Sequence, residues 1–153
     1  MQSTLRVRAF SKSAIVAGLI LAILAFAPAK SYASTTSSEK QLATLINKAR
    51  ASAGRAPLVL SGSLSKLARK HSAAMAAKGT IYHNPKLASW LSPYTWKVAG
   101  ENVGMGGSIL SIHNAFMAST GHRANNLSKA YKKVGVGVVW KGKYAYVTVI
   151  FLG

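Results

Sequence analysis

The chain of 153 residues contains no cysteine, no aspartate and only two glutamates, Glu39 and Glu101. Each absence closes off chemistry. Without cysteine there is no disulfide framework of the kind small exported domains use, no thiolate nucleophile and no lipid-attachment cysteine. Without aspartate, no Ser–His–Asp arrangement can form. Glu39 lies near the expected mature N-terminus, whereas Glu101 sits in the body of the chain, in Ala99-Gly100-Glu101-Asn102-Val103-Gly104. Acid–base or metal chemistry that needs a carboxylate therefore falls to Glu101. A membrane-length apolar run is also missing: Ala14 to Ala27 is about 14 residues, short of the roughly 20 that span a bilayer.

That short run has another reading. Arg6, Arg8 and Lys12 precede it and Ser31-Tyr32-Ala33 follows it as a small-x-small site. Residues 1–33 are expected to be a cleaved secretory signal peptide. There is no twin arginine, so general (Sec-type) secretion to the periplasm or the medium is expected, with no transmembrane span after cleavage. Residues 34–38 read as a flexible Ser/Thr lead-in and 39–153 as one domain, expected to be monomeric and large enough for a proper core. Four of the twenty Lys and Arg fall in the leader, leaving sixteen against two Glu. So lopsided a balance favours anionic partners: polymers, glycans or lipid headgroups of a cell envelope. No established nucleic-acid module is present, and no specific nucleic acid is expected.

Along the mature chain, Leu42, Leu45, Ile46 and Ala49 carry a helical period that ends at Gly54. Pro57 to Leu60 is an extended connector. A second helix starts near Ser61 or Ser63, buries Leu64, Leu67, Ala68, His71 and Met75, and closes at Gly79. Residues 80–98 form a long irregular segment with room for a short helix at Lys86–Leu91. A short strand is expected at Val98–Val103, a turn at Gly104–Gly107, and a third helix capped by Ser108 and ending by Thr120-Gly121. Val134, Val136 and Val138 then alternate with glycines, and after a turn at Lys141-Gly142-Lys143 the chain runs extended to Leu152, which is a β-hairpin. Helices first and paired strands last predict an α+β fold.

The order of certain pieces is specific. They are Leu45-Ile46-Asn47-Lys48-Ala49-Arg50, Pro57-Leu58, Ala68 to Ala76, His83, Gly100-Glu101-Asn102-Val103, Phe116 to Ser119, Gly121-His122-Arg123-Ala124-Asn125 and Val134-Gly135-Val136-Gly137. Together they resemble a cysteine-free bacterial member of the CAP superfamily (cysteine-rich secretory proteins, antigen 5, pathogenesis-related proteins; the SCP domain). The resemblance implies a three-layer α-β-α sandwich with a small antiparallel sheet and a polar cleft. In the larger relatives the cleft holds two His and two Glu, sometimes with a divalent metal. His83 and His122 match the histidines and Glu101 the first glutamate; Ser119 stands where the second is expected, and Asn126 replaces an apolar residue.

His83 and His122 are 39 positions apart, so no local metal motif of the H-E-x-x-H kind joins them. The resemblance implies that they converge with Glu101. Zn²⁺ or another divalent cation would then bind either to all three or to the two imidazoles, with Glu101 orienting water. In the plainer reading Glu101 hydrogen-bonds a histidine and braces the cleft. Ser119, three residues before His122, offers a weaker nucleophilic alternative. Arg123 and Asn125 contact an anion or brace a turn. Tyr82, Trp90 and Trp96, interleaved with lysines, stack a glycan or pack the loop. His71 reads as a core histidine and His113 as lying at the cleft edge or in solvent. The expected function is binding of an anionic envelope or extracellular ligand. A metal-assisted hydrolase with Glu101 as base, and a cationic membrane-active protein, are the alternatives; the missing second glutamate favours binding over catalysis.

Overall fold

The computed structural model describes residues 36–153; the expected signal peptide and its expected cleavage site lie outside the described residues. The first helix, α1 (Ser37–Ser52), opens on a capping box. Glu39 N–H donates to the Thr36 hydroxyl at 3.3 Å, and Thr36 N–H donates to the Glu39 carboxylate at 2.7 Å. Residues 36–38, expected as flexible lead-in, are thus a cap and a first helical turn. The cause is the Thr-x-x-Glu spacing, which satisfies two backbone donors reciprocally. Strand β1 (Val59–Leu60) occupies the expected connector. Helix α2 (Gly62–Lys78) is capped by Ser61 and closed by Gly79 in a left-handed conformation. Helix α3 (Leu87–Leu91) is the short helix within the irregular segment.

Strand β2 (Ala99–Gly106) runs into the expected turn at Gly104–Gly107. A Cβ at Gly104 or Gly106 would lie 2.8 Å from Phe116 or Ile112. Those glycines therefore let helix α4 (Ile109–Ala118) lie close against the strand instead of bending the chain. Helix α5 (Thr120–Leu127) follows directly, where a turn was expected. Strands β3 (Lys133–Lys141) and β4 (Tyr144–Leu152) form the expected hairpin.

The sheet has the order β1-β3-β4-β2. The last three strands are antiparallel, but β1 runs parallel to β3, so the sheet is mixed rather than wholly antiparallel. Val134, Val136, Val138, Val147, Val149 and Phe151 pack against Leu42 and Ile46 of α1 and Ile109, Ile112 and Phe116 of α4. Each such buried aliphatic contributes on the order of 1.5–3 kcal/mol. The other face receives α2 and α3, which completes the α-β-α sandwich. There α2 rests on Gly135 and Gly137, where any Cβ would collide with the helix backbone at Leu64 and Arg69. Polar contacts fix its height: Val136 N–H donates to Ser65 Oγ at 3.0 Å, and Ser72 Oγ bonds Gly137 O at 3.0 Å and Thr148 Oγ1 at 2.9 Å.

Glu39, fully buried, joins α1 to this second layer around the free end of β3. Its Oε1 accepts from Arg69 Nε (2.7 Å) and Val138 N–H (3.3 Å), and its Oε2 from Arg69 Nη2 (2.9 Å).

Candidate functional site

β2 is the sheet edge remote from β1, and its period of two sends alternate residues to opposite layers. Glu101 shares a face with Val103, which packs on Met75 and Ala76 of α2. Asn102 shares the other face with Gly104, which meets Phe116 of α4. One strand thus holds the carboxylate in one layer and an amide in the other.

On the first side, His83 Nδ1–H donates to Glu101 Oε1 at 2.8 Å, and Asn84 N–H donates to the same oxygen at 2.9 Å. Glu101 is buried, while the His83 side chain is 67 % exposed. In the neutral ring this hydrogen bond sets the tautomer, with the proton on Nδ1 and the lone pair on Nε2. Glu101 Oε2 is buried with no hydrogen-bond partner, and so is the side-chain nitrogen of Asn84. An unpaired buried acceptor is costly, and a donor brought by a ligand would relieve it.

On the second side, α5 carries His122, whose ring lies 4.9 Å from that of Phe116. The helix has no apolar stripe of its own; side chains from elsewhere hold it. Asn102 Nδ2 bonds His122 O (3.0 Å) and Asn126 Oδ1 (3.1 Å), and Asn125 Nδ2 bonds Asn102 Oδ1 (2.8 Å) and Glu101 O (3.2 Å). The buried Arg50 grips its C-terminal end, donating to Asn126 O at 2.8 Å and Ser128 O at 2.9 Å. Asn126, unexpected as a polar residue at that position, is fully buried and also reaches the Met117 sulfur at 3.4 Å. Burial lowers the His122 pKa, and the charge His83 carries when protonated lowers it further, so His122 is held toward its neutral form.

The predicted residues divide accordingly. His83 and Glu101 pair at the β2 edge, and His122 stands on α5, whose backbone is tied to Asn102 of the same strand. Among the described residues, however, no group of three or more His, Cys, Asp or Glu is arranged to hold a metal ion. Ser119 sits at the α4–α5 junction without a side-chain capping bond. Glu101 pairs with His83 rather than His122, so the Ser119–His122–Glu101 relay is not assembled. Asn125 braces a helix, not a turn, and Arg123 beside it is exposed. Tyr82 and Trp90 flank His71 edge-on, and each ring carries a lysine, Lys78 at 4.7 Å and Lys70 at 4.6 Å. Trp96 is exposed and tied by its indole N–H to Leu91 O at 3.1 Å. His71 is the core histidine expected, bonded to Tyr82 O at 2.7 Å. His113 is buried rather than at a rim, with Nδ1 unpartnered and its pKa lowered by burial.

Residues 43–151 match the sequence profile described as "CAP: Cysteine-rich secretory protein family". Over 118 residues the chain is 33 % identical to "Uncharacterized protein YkwD" of Bacillus subtilis (strain 168), a match covering 71 % of this chain but only 45 % of that protein. A structure described as an extracellular protein containing a SCP domain, from Bacillus anthracis, superposes with TM-score 0.68 at 24 % identity, over 75 % of this chain and 40 % of the other. An outer surface protein from Borrelia burgdorferi gives TM-score 0.70 at 18 % identity, over 78 % of this chain and 94 % of the other. The chain therefore spans less than half the length of both Bacillus relatives. These structural neighbours are extracellular or outer-surface proteins, and no helix of the described residues is long and apolar enough to cross a membrane.

Proposed function

The chain belongs to the cysteine-rich secretory protein (CAP) family, and from that premise we propose that it is an exported binding protein for an anionic, hydroxyl-bearing ligand of a cell envelope or extracellular matrix. The observation that carries this reading is a surface without acid. Both carboxylates are buried and paired, Glu39 with Arg69 and Glu101 with His83. Of the sixteen Lys and Arg outside the leader, Arg50 is buried and Arg55 and Arg69 are half-buried; the other thirteen are exposed. A basic partner would find nothing to pair with, whereas a polyanion meets attraction from every side. The unpartnered Oε2 of Glu101 asks in addition for a donor, which an acidic glycan or a polyol phosphate supplies through its hydroxyls.

The cleft residues fit a divalent cation on two imidazoles better than a centre with three protein ligands. His83 offers a free Nε2 and His122 is biased toward the neutral form that ligation needs. Glu101 takes the outer position that orients His83. A bound cation would supply localised positive charge to a phosphate or carboxylate oxygen.

Two measurements on the secreted protein test this. Co-sedimentation with phosphatidylglycerol-containing vesicles or anionic cell-wall polymer should be strong in about 0.1 M salt and lost near about 1 M, as the screening length falls from about 10 Å to about 3 Å. Zinc calorimetry should show binding that His83→Ala/His122→Ala abolishes. Absence of salt-sensitive binding would overturn the reading. Zinc binding accompanied by hydrolysis of ester or glycan substrates would replace it with the hydrolase alternative.

A further inference from the structure

Away from the histidines, a pocket of about 450 Å³ opens between the chain just after α1 and the start of α5, lined in part by Arg55, Thr120 and Arg123. A second, of about 250 Å³, shares Arg55 and adds Arg50, Lys129 and Lys132. We infer that Arg55 and Arg123 form a binding subsite for a phosphoryl or phosphodiester group, with the Thr120 hydroxyl as a further donor. The inference rests on the reading that the ligand is anionic, and it names the anion.

Three observations support it. First, Arg55 is held for a task it does not complete within the chain. Its backbone N–H donates to Arg50 O at 2.8 Å, which fixes the residue, yet its side-chain Nε is buried with no hydrogen-bond partner. A guanidinium presents a planar fork of donors matched to phosphate geometry, and one prong here is stranded out of water. Second, the cations gather without a counter-charge. Arg50 spends its donors on the carbonyls of Ala56, Asn126 and Ser128. Burial and the charge of Arg55 both lower its pKa, a sign of uncompensated positive charge. Third, no relief is at hand inside the described chain, because both glutamates are engaged elsewhere with Arg69 and His83. An anion between Arg55 and Arg123 would pair the stranded Nε and offset the repulsion.

The test follows the side-chain Nε–H signal of Arg55 in the nitrogen-labelled secreted protein at low salt. The probes are inorganic phosphate, glycerol 3-phosphocholine as a net-neutral phosphodiester, dimethyl phosphate as an anionic one, and phosphatidylglycerol vesicles. Arg55 Nε–H and the Thr120 and Gly121 amides should shift saturably with at least one anionic probe. Arg55→Gln or Arg123→Gln should weaken that binding by about tenfold or more, since each removes charge-assisted hydrogen bonds. Arg55→Lys, which keeps the charge but not the fork, should still weaken it severalfold, and Lys66→Gln on α2 should leave it within about twofold. Saturation by inorganic phosphate alone would assign a phosphate monoester; saturation by dimethyl phosphate or vesicles would assign a diester polymer or a lipid headgroup. Arg123 is exposed, so its variant decides the matter even if Arg55→Gln disturbs the fold. Shifts that never saturate, or Lys66→Gln weakening binding as much as Arg55→Gln, would overturn the subsite. Salt-sensitive vesicle binding that survived such a result would leave the proposed function standing.

Discussion

The two glutamates sit at opposite edges of one sheet, and only one of them is finished. Glu39, at the open end of β3, accepts four hydrogen bonds across its two oxygens, from Thr36, Val138 and twice from Arg69. Glu101, on β2, accepts two on Oε1 and none on Oε2. Both are buried, so burial alone does not separate them. The partners do: Glu39 faces a guanidinium that neutralises it within the fold, whereas Glu101 faces an exposed imidazole and keeps one acceptor in reserve. A fully satisfied buried carboxylate holds the fold together, and the half-satisfied one is where the proposed ligand would add a donor.

Breaking the contrast at its strong end should have the largest effect. Glu39→Gln should cost about 3 kcal/mol of stability in urea unfolding, the low end for a buried pair because Arg69 is 28 % exposed and can turn to water. Unchanged stability would mean that this edge, too, is not structural. At the other end, Glu101→Gln should change stability by less than about 1 kcal/mol, since an amide oxygen can still accept from His83 and Asn84. Zinc affinity should nevertheless fall about 10- to 100-fold, as for other outer-sphere partners of a ligating histidine. The smallest effect comes from acid. His122 and His113 have folded pKa values below the ordinary 6.5, so the unfolded chain binds more protons. Their contribution is complete above about pH 6.5 and is lost as pH falls through the lowered folded values. Unfolding at about pH 7.5 and about pH 5 should show this loss, and His113→Leu with His122→Ala should remove most of it.

What could be read from the sequence was whatever the sequence holds locally. The hairpin, the Ser61 and Ser108 caps and the Gly79 stop each depend on residues a few positions apart, and each stands where expected. Helix α5 was hidden because Thr120–Leu127 has no apolar stripe; its anchors, Arg50 and Asn102, come from 76 and 24 residues away. Glu39 read as peripheral because nothing near it announces Arg69, 30 residues on. The length of β2 was misjudged because Gly104 and Gly106 serve the approach of α4, which spacing along a strand cannot reveal. The grouping of His83 with Glu101 followed from the family resemblance, not from any local motif. The stranded Nε of Arg55 had no signal in the sequence beyond one more basic residue among many.

Because β2 is a rim strand, His83 belongs to the layer of α2 and His122 to the layer of α4 and α5. A ligand touching both rings would act as a clasp, closing the sandwich across its rim from outside. Its grip would be felt less in the compact centre than in the local opening of α5 and the Tyr82–Asn84 segment, where binding to the closed form alone slows exchange in proportion to occupancy. Amide exchange at those two places would thus serve as an occupancy gauge for any candidate ligand, with no knowledge of its chemistry required.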